Sequence, residues 1–300
     1  MNESIKRRVT IGIWTVFISL LFSGCTGVKT PSLEKEQVPL VAITDTPTGK
    51  HNSGRFVWHD LITDDASKAR KFYAALFGWS FEDQGRYTVI SNHDKPIGGI
   101  LEIAPKPGTE AEAIWLPSMS VANVDNSIAY LKSKKGEVLK GPVDMKERGR
   151  GAIVSDPHGA QLVLLNAKGG DPAEAVPKIG DWLWNELWTH TPKESYAFYR
   201  KLGKYDASEL REDYRILKSK DKWRAGIRHL AKADVKARWA SVIRVSDPKA
   251  ITERVPKLGG KVLMEPDETF MNGDVAVIAD NTGALLIIQR WDETLAEEVK

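Results

Sequence analysis

The chain has a single cysteine, Cys25, in 300 residues. No disulfide can form within it, and no zinc-binding cysteine pattern is available. An excess of one charge is missing too: 43 basic side chains face 40 acidic ones. Removal of residues 1–24 would take away Lys6, Arg7, Arg8 and Glu3 and leave a formal balance of +1. So even a balance lacks the electrostatic footprint of a nucleic-acid binder. A nucleophile elbow and a phosphate-cradling glycine loop are also absent. The I-G-G-I run at 97–100 reads as a strand bend.

What is present begins with the N-terminus. Lys6, Arg7 and Arg8 precede the uncharged run Val9 to Phe22, and Leu21-Phe22-Ser23-Gly24-Cys25 closes it with small residues. A positive start, an apolar middle and small residues at a cut are the parts of a secretory signal. The run is short against the roughly 20 apolar residues of a membrane-spanning helix. The closing Gly-Cys resembles a bacterial lipobox, with Phe22 in place of the commoner leucine. That resemblance implies cleavage after residue 24 and lipidation (palmitate among the acyl chains) of Cys25, which anchors the protein to a membrane without spanning it. Thr26, rather than an aspartate, points to the outer membrane facing the periplasm. Residues 25–53, rich in Thr, Pro, Lys and Gly and without periodicity, are expected to be a flexible tether.

The rest of the chain repeats itself. Phe56 to Trp79 aligns with Trp182 to Tyr205, pairing Trp58 with Trp184, Phe72 with Phe198 and Tyr73 with Tyr199. The run from Trp115 aligns with that from Trp239, and G-A-I-V-S-D-P-H-G-A with V-A-V-I-A-D-N-T-G-A, always at offsets of 124 to 127. So long a period means two domain copies, 54–167 and 181–291, joined by a linker at 168–180 and followed by a tail at 292–300. Each copy reads strand, helix, strands, twice over. The first helix opens at Asp65, carries the stripe Ala69, Phe72, Tyr73 and Leu76, and closes at Gly78. Its twin opens at Thr191-Pro192-Lys193-Glu194, the pattern of a capping box with proline at the first helical position.

This order, with F-Y-x-x-L-F-G-W and D-P-H-G-A, resembles the vicinal oxygen chelate superfamily of glyoxalases, bleomycin-resistance proteins and dioxygenases. The resemblance spans most of residues 54–291 and is nearest to the tandem-domain glyoxalase-like branch. It implies an α+β fold in which paired βαβββ modules curve into a cup that holds the site. Metal-dependent members take ligands from the first, fourth, fifth and last strands of a domain. Counted against that pattern, the ligand positions fall on Trp58, Leu116 and Val163 in one copy and Trp184, Ala240 and Ile287 in the other. Only the fourth strand offers donors, Glu102 and His229. A catalytic metal needs about three protein ligands, so neither a metal nor any other cofactor is expected.

Alternation in a strand assigns the faces. Val57, His59 and Leu61 share one face and Trp58 and Asp60 the other. Leu183, Asn185 and Leu187 oppose Trp184, Glu186 and Trp188 in the same phase. The aliphatic face belongs against the helices, which takes His59 out of the cup. The expected pocket is Trp58, Asp60, Glu102, Trp184, Glu186, Trp188 and His229. Asp60 and Glu186 are the weak catalytic candidates, as general bases or as acceptors from an arginine such as Arg148 or Arg150. The K-E-R-G-R-G run at 146–151 reads as a charged, solvated loop. The indoles either stack on a flat ligand or fill the cups. Three functions follow: a metal-free small-molecule binder on a membrane tether, a glyoxalase-like lyase or isomerase, or an interaction lipoprotein with plugged cups. Self-association is open.

Overall fold

The computed structural model describes residues 38, 40–105, 112–207, 214–232 and 234–292. The signal segment, Cys25, the tether before residue 38 and the tail from 293 lie outside the described residues. The first copy contains β1 (Phe56–Thr63), α1 (Ala66–Phe77), β2 (Ser80–Asp83), β3 (Tyr87–Asn92), β4 (Lys95–Glu102), β5 (Ile114–Ser120), α2 (Val124–Ser133), β6 (Glu137–Asp144), β7 (Gly149–Ser155) and β8 (Gln161–Ala167). The second contains β9 (Trp182–Thr189), α3 (Pro192–Leu202), β10 (Tyr214–Ser219), β11 (Lys222–His229), β12 (Arg238–Val245), α4 (Pro248–Thr252), β13 (Lys261–Met264), β14 (Val275–Ala279) and β15 (Leu285–Arg290). Among the described residues no helix is long and apolar enough to cross a membrane.

The strands form two mixed sheets, ordered β2-β3-β4-β1-β5-β8-β7-β6 and β10-β11-β9-β12-β15-β14-β13. In each, the first strand of a module runs parallel to its last, β1 with β4 and β5 with β8, which requires a crossover that the helix supplies. The two modules then meet antiparallel along β1 and β5, or β9 and β12. The fold is α+β, two domains of paired modules, three of them βαβββ and the remaining one, β9 to β11, βαββ among the described residues.

Helix α1 begins and ends where its sequence directs. Asp65 accepts from the Lys68 amide at 2.8 Å, and Gly78 takes φ 74° at the C-cap, a left-handed conformation open to glycine. Helix α3 departs from expectation. Thr191 makes no side-chain cap; its hydroxyl instead lies 3.0 Å from His158 Nδ1, so the capping box does not form.

Each helix layer is built from both copies. One core packs Ile128 and Leu131 of α2 with Phe198, Tyr199 and Leu202 of α3. The other packs Phe72, Tyr73 and Leu76 of α1 with Ile278, Leu286 and Ile288 of β14 and β15. The motif residues clasp these joints. Tyr73 donates to Asp280 Oδ2 at 2.7 Å and accepts from Trp115 Nε1, while Tyr199 donates to Asp156 Oδ2 at 2.9 Å and accepts from Trp239 Nε1. Each aspartate's other oxygen holds two amides of its own turn, those of His158 and Ala160 or of Thr282 and Ala284. Burial, then the neighbouring aspartate, raises both tyrosine pKa values far above the ordinary range, so the phenols stay protonated donors. The copies therefore pair within one chain, and D-P-H-G and F-Y are structural halves of one joint.

Candidate functional site: two cups of tryptophan, carboxylate and arginine

The strand faces follow the alternation from residue 58 onward and break before it. A bulge between Phe56 and Trp58 turns Val57 to the cup side with Trp58, Ile43 and Leu165. Its twin between Trp182 and Trp184 does the same to Leu183. Phe56 and Trp182 thus take the helix side instead of Val57 and Leu183. His59 is 2 % exposed, stacks on Trp182 at 4.0 Å, and shares a 3.1 Å hydrogen bond with Asn185, its own counterpart in the repeat. Burial lowers its pKa to about 3, so it is neutral.

In the first cup Asp60 is the centre of a closed network. Its Oδ1 accepts from Trp58 Nε1 at 3.0 Å and from the Tyr87 hydroxyl at 2.6 Å, and Oδ2 accepts from Arg148 at 3.3 Å. Arg148 also donates to the Tyr87 oxygen at 2.8 Å and lies 4.6 Å above the Trp58 ring. At 2 % exposure Arg148 is buried, which corrects the solvated reading of its loop. Arg150 instead pairs with Asp125 and Asp144 at the surface.

The expected tether closes this cup. Of its described part, Ile43 is 3 % exposed beside Trp58, and the Val41 carbonyl accepts from Arg148 Nε at 2.7 Å. Further along, the Thr48 and Gly49 amides reach the Gly169 carbonyl, the Lys50 carbonyl accepts from the Asp171 amide, and Asn52 donates to the Asp171 carboxylate. Two apolar side chains and this backbone pairing order a segment whose composition alone signals flexibility. Trp58, at 1 % exposure, has no room for a ligand.

The second cup uses the same chemistry from different strands. Glu186 accepts from Trp188 Nε1 at 3.0 Å and, through two oxygens, from Arg228 at 3.0 and 2.8 Å. Trp184 donates to Tyr214 at 3.0 Å, and the Arg228 guanidinium lies 4.7 Å from the Tyr214 ring. Burial first, then the Glu186 charge, raises the Tyr214 pKa; Tyr87 is raised alike by burial and Asp60. Trp184 and Trp188 are half-buried, and Trp223, 6.2 Å from Trp184, is 45 % exposed. Residues 40–53 have no counterpart over this cup; Phe270, between β13 and β14, packs against its apolar cluster, with the Arg228 guanidinium 5.4 Å from the ring.

Tyr87, Tyr214 and Arg228 escaped the sequence reading. A signal for the tyrosines existed in Gly99 and Gly226: a Cβ there would come within 2.0 Å of the Tyr87 oxygen or 2.1 Å of the Tyr214 oxygen. I-G-G-I is a seat for a phenol rather than a bend. Glu102 and His229 do not reach the cups. Both are exposed at the ends of β4 and β11, where alternation turns them to the helix side. Glu102 accepts from the Ala66 amide at 2.9 Å and so holds the start of α1.

The residues present do not fit a metal of the superfamily type. In register across the first cup stand Trp58, Ser118 and Val163; across the second, Trp184, Val242 and Ile287. Each cup has one carboxylate, already engaged by an arginine whose charge would repel a cation. Among the described residues no three His, Cys, Asp or Glu side chains gather. The same engagement leaves Asp60 and Glu186 poorly placed as general bases.

Residues 55–164 match the family model of the Glyoxalase/Bleomycin resistance protein/Dioxygenase superfamily. CFP32 of Mycobacterium tuberculosis, whose name carries a provisional glyoxylase assignment, is 28% identical over 249 residues, covering 80% of this chain and 95% of that protein. The anthracycline biosynthesis protein DauV of a Streptomyces species is 29% identical over 251 residues, 77% of this chain and 91% of its own. Among solved structures, a Mn(II)-bound glyoxalase from Novosphingobium aromaticivorans superposes with TM-score 0.56 at 12% identity, covering 80% and 83% of the two chains. Homoprotocatechuate 2,3-dioxygenase from Arthrobacter globiformis gives 0.54 at 14% identity, covering 86% and 84%. Residues 55–164 thus carry a domain of the Glyoxalase/Bleomycin resistance protein/Dioxygenase superfamily, and a second sheet of closely similar strand order follows from β9 to β15.

Proposed function

We propose that this protein is a metal-free, glyoxalase-like binding protein that takes a small flat molecule in its second cup. Its first cup is closed by its own chain, and lipid on Cys25 holds it at the bacterial envelope. The observation that carries the reading is the asymmetry of the indoles: Trp58 is sealed under Ile43, while Trp184 and Trp188 are half-buried beside an exposed Trp223. An aromatic face of this kind stacks on flat, apolar rings. DauV is named for anthracyclines, which are fused-ring molecules of that shape.

Titration of the detergent-solubilised chain with 2-naphthol tests the reading. Saturable quenching of tryptophan emission, lost in Trp188→Ala and kept in Trp58→Phe, is expected. An unquenched wild type would sink it and favour an interaction protein with filled cups. CFP32's name supports a second reading, a glyoxalase-like lyase or isomerase. Near-stoichiometric Zn, Ni, Mn or Fe in the purified protein would establish that one instead; we expect only traces.

A further inference from the structure

Cross-strand register places Trp188 of β9 opposite Arg228 of β11 on one side and opposite Arg238 of β12 on the other. Directly opposed residues project from the same face of a sheet. Neighbouring strands lie about 4.8 Å apart, so two guanidinium-bearing residues bracket one indole. Ala240 and Val242, which alternate with Arg238 along β12, belong to the apolar floor of this cup, whereas Ala237 and Trp239 belong to the helix side. Arg238 therefore shares the cup face.

The two arginines are not equivalent. Arg228 is committed to both oxygens of Glu186. Arg238 has a buried Nε with no partner and no ion pair among the described residues. A guanidinium nitrogen removed from water and left unbonded is costly, and a ligand oxygen would relieve it. The fold does not demand cations at this level. The matching row of the first cup is Leu101, Ile62 and Ile114, aliphatic throughout.

We infer that the second cup selects a planar aromatic carboxylate, with its ring on Trp188 and its carboxylate received by Arg238. The inference rests on the binding reading above and adds the charge of the ligand to it. A planar guanidinium matches a carboxylate through two parallel hydrogen bonds, and an indole accepts the ring face. Lysine would offer the charge without the fork.

The test is a matched pair, 2-naphthoate and its neutral amide, titrated against the full chain by tryptophan quenching and calorimetry. The carboxylate is expected to bind at least tenfold more tightly, with an advantage that shrinks as salt is raised. Arg238→Gln should bring naphthoate to the level of naphthamide and leave naphthamide unchanged; Arg238→Lys should retain part of the preference. Equal binding of the two probes by the wild type, which needs no variant to fold, overturns the inference and leaves the cup reading standing. Silence with both probes overturns both. A preference that survives Arg238→Gln assigns the carboxylate to another residue and also overturns the inference.

Discussion

In the first cup the ring of Trp58 and the guanidinium of Arg148 are both buried, stacked at 4.6 Å under Ile43. In the second, Trp184 and Trp188 keep part of their surface, and the arginine on Glu186 is 32 % exposed. Both cups nevertheless contain a carboxylate beside a tryptophan, a tyrosine laid over a glycine, and an arginine bonded to the carboxylate. The arginine arrives from the turn before β7 in one and from β11 in the other. The first lesson is that burying a carboxylate creates a demand for a cation, and different strands can meet it. The second is that closure depends on the chain before the first strand. Residues 40–53 carry Val41 and Ile43 into the first cup. The run before β9 braces other surfaces: Arg55 donates to the Pro172 and Ala173 carbonyls, Arg244 to that of Pro177, and Val176 stays 56 % exposed.

The sharpest way to break this comparison is to empty both cups. Trp58→Ala should cost about 3–5 kcal/mol, as large buried side chains do, and Trp188→Ala less than half of that, read from urea denaturation midpoints. Equal losses would mean that the second cup is as closed as the first. Removing the cations comes next. Arg148→Met leaves Asp60, with 14 % of its side chain exposed, without its charge partner and should cost about 3 kcal/mol. Arg228→Met, with its guanidinium closer to water, should cost about 1 kcal/mol. Adding Asp60→Asn to Arg148→Met should recover part of the first loss, since the penalty lies in the orphaned carboxylate. Ile43→Ala is expected to cost about 2 kcal/mol and to increase acrylamide quenching of tryptophan emission, as Trp58 is uncovered.

An effect absent at neutral pH concerns the axis between the copies, where His59 meets Asn185. Its folded pKa of about 3 lies below the ordinary 6.5. Above pH 6.5 the imidazole is neutral in both states. As pH falls the unfolded chain takes up a proton that the fold refuses until about pH 3, so stability drops across that window. The loss by pH 5 is about 2 kcal/mol. His59→Asn, which copies its twin, should remove this part of the pH dependence; an unchanged slope would mean that another group carries it.

Much of the fold is legible in the sequence. The twofold repeat, the helix from Asp65 to Gly78 and the inward phase of Trp58-x-Asp60 and Trp184-x-Glu186 depend on local periodicity and capping, which neighbouring residues determine. The bulges at Val57 and Leu183 were not legible, because a bulge is a property of a pair of strands and leaves no trace in one. Glu102 and His229 misled for a related reason: they match a pattern of ligand positions by count, but alternation along β4 and β11 turns them outward. The capping box at Thr191 had its letters, yet the tertiary neighbour His158, with Thr189 two residues back, took the hydroxyl.

Composition and period alone determined that this chain is two copies of one α+β domain with tryptophan and a carboxylate on the concave face, since alternation and helical spacing act over a few residues. Only tertiary structure decided which cup is sealed, which arginine answers each carboxylate, and that the Tyr and Asp motifs clasp across copies. Those outcomes depend on contacts between residues 42 to 207 positions apart, such as Arg228 with Glu186, Arg148 with Val41 and Tyr73 with Asp280, whose partners no local pattern can name.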